Sequence, residues 1–202
     1  MNNKIKFIFF DVGGVFCDTE LIYDELSLKF GRNRDHMKAS HVKYVNLACL
    51  GGLSVHDVWD LIREDLEINP KDNFNFLEFS TDKLIPIPLA HELAKELAHS
   101  YKIGLITDVE RDVFEKSLEK GNVPDINYSA IIKSSDHKII KPDVRIYQIA
   151  EEKSGATGPE ILYVEDVAEN VEAAQKFGWK AVRFLTNDPE ASIKQIKSIL
   201  SG

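Results

Sequence analysis

Four places in the sequence put reactive side chains directly after short apolar runs. Asp11 follows Ile5–Phe10, Thr107-Asp108 follows Ile103–Ile106, and Glu165-Asp166 follows Ile161–Val164. Lys141 comes shortly after Ala130–Ile132. In an open parallel sheet, ligands bind beyond the carboxyl ends of the strands, where the winding reverses. Residues at those ends would therefore converge, bringing acids, a hydroxyl and an ammonium to one spot. Three clustered carboxylates repel one another unless a cation lies between them, and hard oxygen ligands favour magnesium. Singly, each has an ordinary reading: a strand-end turn aspartate, a strand-end threonine, a surface lysine, an acid pair favoured by a helix N-terminus. The combination is harder to explain that way.

The elements that must hold these residues are legible as patterns. Ile5–Phe10 is apolar apart from Lys6, rich in β-branched and aromatic types, and ends at Asp11 before Gly13-Gly14, which suits a strand buried on both faces. Ile103–Ile106, Ala130–Ile132, Ile161–Val164 and Ala181–Phe184 read the same way. Between them, Leu89–Ala98, Arg111–Glu119, Val144–Lys153 and Val167–Phe177 show helical spacing, the last stopping at Gly178. Pro142 suits a first helical turn after Lys141. Pro189–Leu200 closes the chain, with Asp188 as its expected N-cap. Alternating strands and helices predict an α/β, doubly wound parallel-sheet core of Rossmann-like type.

About seventy residues after the first strand carry no convincing strand. Leu21–Phe30, Asp35–Leu50, Val55–Leu66 and Asp72–Phe79 each read as helical, separated by Gly31, Gly51-Gly52 and Pro70. Ser54 with Asp57 resembles a capping box, and Pro86 and Pro88 mark the return to the core. The expected organisation is an α/β core from residues 1–16 and 87–202, with an all-helical cap at 17–86 inserted after strand 1.

Bulk properties narrow the partners. The 202 residues hold 25 Lys and Arg against 33 Asp and Glu, a formal net charge of −8, which disfavours nucleic acid and anionic membranes. A small phosphorylated ligand stays compatible, because a local metal or lysine inverts the local field. Cys17 and Cys49 form no paired motif and read as reduced thiols. The segment beginning Met1-Asn2-Asn3-Lys4 has no signal-peptide cleavage pattern, and no stretch approaches the ~20 apolar residues of a bilayer span. A cytoplasmic location is expected, and the oligomeric state is not readable.

With these residues in view, FFDVGGV resembles the first motif of the haloacid dehalogenase-like hydrolase superfamily, LITD its second, KPDVRIY its third, and YVEDVAENVEAAQKFG its fourth. Order and spacing match over nearly the whole chain. The stretch Leu50–Ser54 is similar to the link in helical caps of the subfamily that contains sugar-phosphate phosphatases of the glucose-1-phosphate type. The resemblance implies Mg²⁺ as cofactor and Asp11 as a nucleophile forming an aspartyl-phosphate. It implies that Lys141 neutralises phosphate oxygens and restrains Asp11, and that Thr107 and the following residue, Asp108, hold the phosphate. Asp166 is implied as a direct metal ligand, Glu165 as acting through water or steadying the shell, and Asp11 and the Gly13 carbonyl as further oxygens. Lys138 competes with Lys141 but lacks the following proline. Asn170 is expected to fix its loop by side-chain hydrogen bonds, without a catalytic role.

Two positions depart from the family pattern. Members usually carry a second aspartate two residues after the nucleophile; here Gly13 can neither give nor take a proton, a service typically worth about 10²–10⁴ in rate. A cap histidine, His41 or His56, or a water beside Glu165 is expected to replace it, unless the leaving group is good in itself, as an anomeric phosphate is. Asp108 replaces a residue that is often neutral, and a carboxylate there would repel phosphate unless turned away or protonated. The leading expectation is a magnesium-dependent phosphatase for a small phosphorylated metabolite, with a sugar phosphate the favoured substrate. The alternatives are a 2-haloacid dehalogenase, which needs no metal, a phosphoryl mutase, and a weakly active or non-catalytic binding or regulatory protein on the same fold.

Overall fold

The computed structural model describes residues 4–69 and 74–201. Its centre is a five-stranded parallel sheet built from β1 (Phe7–Phe10), β4 (Lys102–Thr107), β5 (Ala130–Lys133), β6 (Ile161–Glu165) and β7 (Lys180–Arg183), in the order β5-β4-β1-β6-β7. Successive side chains of a strand point to opposite faces, which explains the unbroken apolar runs. Ile8 and Phe10 enter one core cluster while Phe7 and Phe9 enter another, and in β6 Leu162 and Val164 divide from Ile161 and Tyr163 in the same way. Each such buried side chain contributes about 1.5–3 kcal/mol of apolar transfer.

Helices cover both faces. α5 (Pro88–Leu97), α6 (Val113–Glu119) and α10 (Pro189–Ser201) supply the first cluster, through Leu93, Phe114 and Ile196. α8 (Val144–Ser154) and α9 (Ala168–Phe177) supply the second, through Ile146, Tyr147 and Val171. Gly104 lies under the rings of the second face: a Cβ there would come within 2.6 Å of Phe9 Cε1 and 2.7 Å of Phe7 Cε1. The sheet is thus the doubly wound α/β architecture expected from the alternation of patterns.

Four helices lie between β1 and α5: α1 (Glu20–Phe30), α2 (Arg34–Cys49), α3 (Val55–Asp65) and α4 (Phe76–Asp82). They carry their own apolar cluster, in which Leu26, Met37, Ile62 and Phe76 are fully buried. The Ser54/Asp57 capping box opens α3 as expected, and Asp188 Oδ1 accepts the Ala191 N–H at 3.1 Å at the start of α10.

Several boundaries differ from the sequence reading. The stretch after β1 does contain strands: β2 (Cys17–Asp18) pairs antiparallel with β3 (Ile85–Pro86) where the chain leaves and rejoins the sheet. The helix expected from Asp72 begins at Phe76, where Asn75 accepts the Glu78 N–H at 3.1 Å; Pro70 and the first two residues of that expected helix lie outside the described residues. α6 starts at Val113 rather than Arg111, because Asp112 is left-handed at φ 70°. α8 starts at Val144, where Asp143 accepts the Arg145 N–H at 3.0 Å, so Pro142 precedes the helix cap instead of standing in the first turn. A short helix, α7 (Ser134–His137), links β5 to the Lys141 loop. Among the described residues no helix is long and apolar enough to cross a membrane.

Candidate active site

The sheet order sets the site. β1 lies between β4 and β6, and the chain winds outward from β1 in both directions, so the crevice falls at the carboxyl end of β1. Asp11 directly follows β1, Thr107 ends β4 and Glu165 ends β6. Oxygens of Asp11, Glu165 and Asp166 all lie within 4.8 Å of one another. The loop through Lys141 crosses this cluster. Its ammonium, 2% exposed, sits 2.9 Å from Asp11 Oδ2 and 2.8 Å from Glu165 Oε2. Lys138 instead caps α7 in a left-handed conformation and lines a separate surface hollow with Arg111 and Asp136. The competition between the two lysines is therefore decided by geometry for Lys141.

Glu165 is tightly held. Tyr163 Oη donates to its Oε2 at 2.6 Å, and the Val167 N–H donates to Oε1 at 2.9 Å. Burial would raise its pKa, but the Lys141 ammonium and these donors hold it down to about 2. Its two partners in the cluster move the other way. Burial, then the Glu165 charge, lifts Asp11 well above the usual carboxylate range, outweighing Lys141. Burial and Glu165 likewise push Asp166 up to about 7. Fully ionised, the three carboxyls would carry more negative charge than one ammonium balances, and burial together with this excess pushes two of them toward their protonated forms. Such a donor set fits a hard divalent cation, with Asp11 and Asp166 offering the less committed oxygens and Glu165 steadying the surround. Gly14 permits the arrangement: it is left-handed at φ 73°, and a Cβ there would collide with the Asp166 carboxylate. Thr186 Oγ1 anchors the same loop by donating to the Gly14 carbonyl at 2.7 Å.

Asp108 is turned toward the lysine loop. Its Oδ1 and Oδ2 accept the Lys141 backbone N–H at 3.1 and 3.2 Å, and burial raises its pKa. Beside it opens a cavity of about 170 Å³, with Val12, Gly13, Thr107, Asp108 and Val109 on the sheet side and Thr19, Tyr23, His41 and Thr81 on the side of the inserted helices. Gly13 and Thr107 thus stand at the cavity.

The histidines fare differently. His41 reaches the cavity, but its Nδ1 is 3.1 Å from Tyr23 Oη and burial lowers its pKa to about 4, leaving it a neutral ring at ordinary pH. His56 is exposed on α3 and lines no part of the cavity. Asn170 is buried, yet the bond formed there is Tyr147 Oη donating to its backbone carbonyl at 3.1 Å, not the expected side-chain bond. Two residues of the site were not singled out from sequence: Tyr163, whose strand alternation pointed only to the core, and Glu110, which lines the cavity while 8% exposed.

A parallel α/β sheet with acids gathered at its carboxyl edge and a helical insertion after the first strand defines a Rossmann-like hydrolase architecture. The chain belongs to the haloacid dehalogenase-like hydrolase family, whose model matches residues 8–184. It is 23% identical to the (S)-2-haloacid dehalogenase of Xanthobacter autotrophicus over 96% of this chain and 80% of that one. Its fold is similar to a HAD family enzyme of Bacteroides thetaiotaomicron solved with magnesium and inorganic phosphate, at TM-score 0.69 and 19% identity over 89% of this chain and 94% of that one. It is also similar to the structure of the Xanthobacter L-2-haloacid dehalogenase with chloropropionic acid covalently bound, at TM-score 0.68 and 23% identity over 89% and 77%.

Proposed function

We propose that this protein is a magnesium-dependent phosphatase acting on a small phosphorylated metabolite, with sugar phosphates the favoured class. The observation that carries this reading is the acidic trio of Asp11, Glu165 and Asp166, drawn together within 4.8 Å and incompletely neutralised by Lys141. Attack on carbon by a carboxylate requires no such trio, whereas a phosphoryl dianion approaching three acids requires added positive charge.

In this reading Asp11 attacks phosphorus and the ester oxygen departs, leaving an aspartyl-phosphate; water then attacks the same phosphorus and frees Asp11 and phosphate. The ammonium of Lys141 holds the Asp11 carboxylate in place and balances phosphoryl charge. Thr107 and the backbone beside Asp108 hold a phosphoryl oxygen. Asp166, Asp11 and the Gly13 carbonyl would hold magnesium, with Glu165 steadying the surround; when bound, the ion supplies charge neutralisation for the transferred group. With glycine at position 13, the ester best served is one whose leaving oxygen departs with least proton help, such as an anomeric phosphate.

A second reading, 2-haloacid dehalogenase, is favoured by the likeness to (S)-2-haloacid dehalogenases over most of the chain. Against it stands the cavity: it is lined by no lysine or arginine that could receive a substrate carboxylate, and it presents Asp108 and Glu110 instead. The test is a panel of phosphomonoesters and (S)-2-chloropropionate, with magnesium and with chelator. Magnesium-dependent phosphate release, lost in Asp11→Asn, is the expected result. Metal-independent chloride release with no phosphate release would overturn the reading.

A further inference from the structure

Among the buried acids of the described residues, Glu110 has no work in the scheme above. Glu110 lies in the loop after β4, 8% exposed, on the wall of the cavity that begins at Gly13 and Thr107. Among the described residues its carboxyl has no salt bridge and no side-chain hydrogen bond; the one interaction that favours its charge is with its own backbone N–H. A buried carboxyl normally sits with a cation or a set of donors, because desolvation without a partner is costly. The groups around it offer neither. Asp108 is engaged by the Lys141 N–H, Tyr23 Oη is shared with His41, and the nearby Cys49 thiol is buried and kept protonated. The nearest lysine of the site, Lys141, is committed to Asp11 and Glu165. No fully buried side-chain oxygen among the described residues lacks a partner, so the Glu110 carboxyl keeps accessible surface, and the cavity that Glu110 lines is where it opens.

The cavity narrows what could use it. At about 170 Å³ and partly open to solvent, it has room for a small organic group. Its remaining polar lining is hydroxyls and a neutral imidazole, from Thr19, Tyr23, His41, Ser80 and Thr81. An organic group that fills it meets two carboxyls, several hydroxyls and no cation. A carboxylate or a second phosphate on that group would be buried against Asp108 and Glu110 unpaired.

We propose that Glu110 is the specificity-determining residue of this site: its carboxyl hydrogen-bonds a hydroxyl or amino group on the organic part of the ester, and the cavity thereby selects small phosphomonoesters with no second acidic group. This rests on the phosphatase reading, and it adds which residue chooses the substrate and what that residue rejects. The discrimination comes from the unpaired group left behind, as it does wherever a site built to bond a polar group meets a ligand lacking it.

Binding is the deciding measurement, because it needs no turnover. In the presence of magnesium, Asp11→Asn protein is titrated with a matched pair of probes, a hexose monophosphate and phosphoglycolate. The hexose ester should bind at least about 10-fold more tightly, since a second acidic group would be set beside Asp108 and Glu110 with no lysine or arginine in the lining to receive it. Adding Glu110→Leu, which removes every donor and acceptor of that side chain, should weaken the hexose ester about 10- to 100-fold, the range for a hydrogen bond to a charged or buried partner, and should narrow the preference. Phosphoglycolate binding as tightly as the hexose ester, or an unchanged hexose affinity in the Glu110→Leu protein, would overturn the proposal. Formation of a magnesium-dependent fluoroberyllate adduct on wild-type Asp11 separates the two ideas. With the adduct present, a failed preference sinks only the role of Glu110; with no adduct and no ester bound, both readings fall.

Discussion

Replacing Lys141 with methionine is the sharpest perturbation of the site, because it removes a cation of similar shape from between two buried carboxylates. The side chains of Lys141, Asp11 and Glu165 are 2%, 10% and 0% exposed. At separations of 2.9 and 2.8 Å and an effective dielectric near 20, each pairing has a gross attraction of about 6 kcal/mol. Most of that is offset by the cost of desolvating the ions, so the net worth of the trio is far smaller. Removal of one partner is different, since it strands charge: a loss of about 3–5 kcal/mol follows from leaving Asp11 and Glu165 unpaired. The loss must depend on pH. In the wild type Glu165 is held at about 2 against an ordinary 4.5, so it stabilises fully above 4.5 and that contribution disappears as pH falls toward 2. Without Lys141 the burial effect dominates, Glu165 rises above 4.5, and folded protein then holds a proton that unfolded chain releases. Stability of the variant therefore falls as pH rises past 4.5. Urea unfolding should show the gap between wild type and variant widest near pH 8 and smaller near pH 5, and magnesium should narrow it near pH 8. A loss under about 1 kcal/mol near pH 8, or one that does not vary with pH, would refute the reasoning.

Gly14→Ala should cost about 1–3 kcal/mol through its left-handed backbone and the displaced Asp166 carboxylate, and it should weaken magnesium binding by calorimetry; unaltered metal affinity would mean Asp166 is not a ligand. Asp108→Asn keeps an acceptor for the Lys141 N–H, so its stability should stay within about 1 kcal/mol of wild type while Asp108→Ala loses about 1–3 kcal/mol, both read by chemical denaturation. For phosphate esters the Asn variant should show equal or lower KM, and a large loss of affinity would contradict a carboxyl turned toward the lysine loop. His41, lowered from 6.5 to about 4, should keep a neutral ring down to about pH 5 by NMR, and its protonation should destabilise the fold only as pH drops from 6.5 toward 4; a ring titrating near 6.5 would restore it as a proton donor.

Much of this was written in local sequence. Unbroken apolar runs ending in Asp11, Thr107 and Glu165 gave both the strands and the side chains at their ends, because strand register and site position are the same fact in a parallel sheet. The strands flanking the insertion escaped notice because Cys17–Asp18 and Ile85–Pro86 are two residues each, too short to show a period. The start of α8 at Val144 is legible in the sequence, but the place of Pro142 is not, because proline is as compatible with a pre-cap turn as with a first helical turn, and Asp143 supplies the cap.

The illegible part was the pairing of charges across distant segments. Asp108 looked adverse in sequence, as an acid beside a phosphate site; in space its carboxylate grips the backbone of the residue whose ammonium serves Asp11. Tyr163 looked like core, yet its hydroxyl is one of the donors that hold Glu165 ionised. With Tyr163 on Oε2 and the Val167 N–H on Oε1, both oxygens of Glu165 are engaged, so in the proposed reading a metal would draw chiefly on Asp11 and Asp166, the two acids whose pKa values burial and repulsion have raised. Glu110 is the inverse case, a largely buried acid on the wall of the cavity with no salt bridge or side-chain hydrogen bond among the described residues. In the proposed reading the phosphoryl group would meet the acidic trio, which calls for added positive charge, while the organic part would meet the adjoining cavity, whose lining holds Asp108 and Glu110 and no lysine or arginine. An ester with one phosphate and a neutral, hydroxyl-bearing remainder is the substrate that this reading selects.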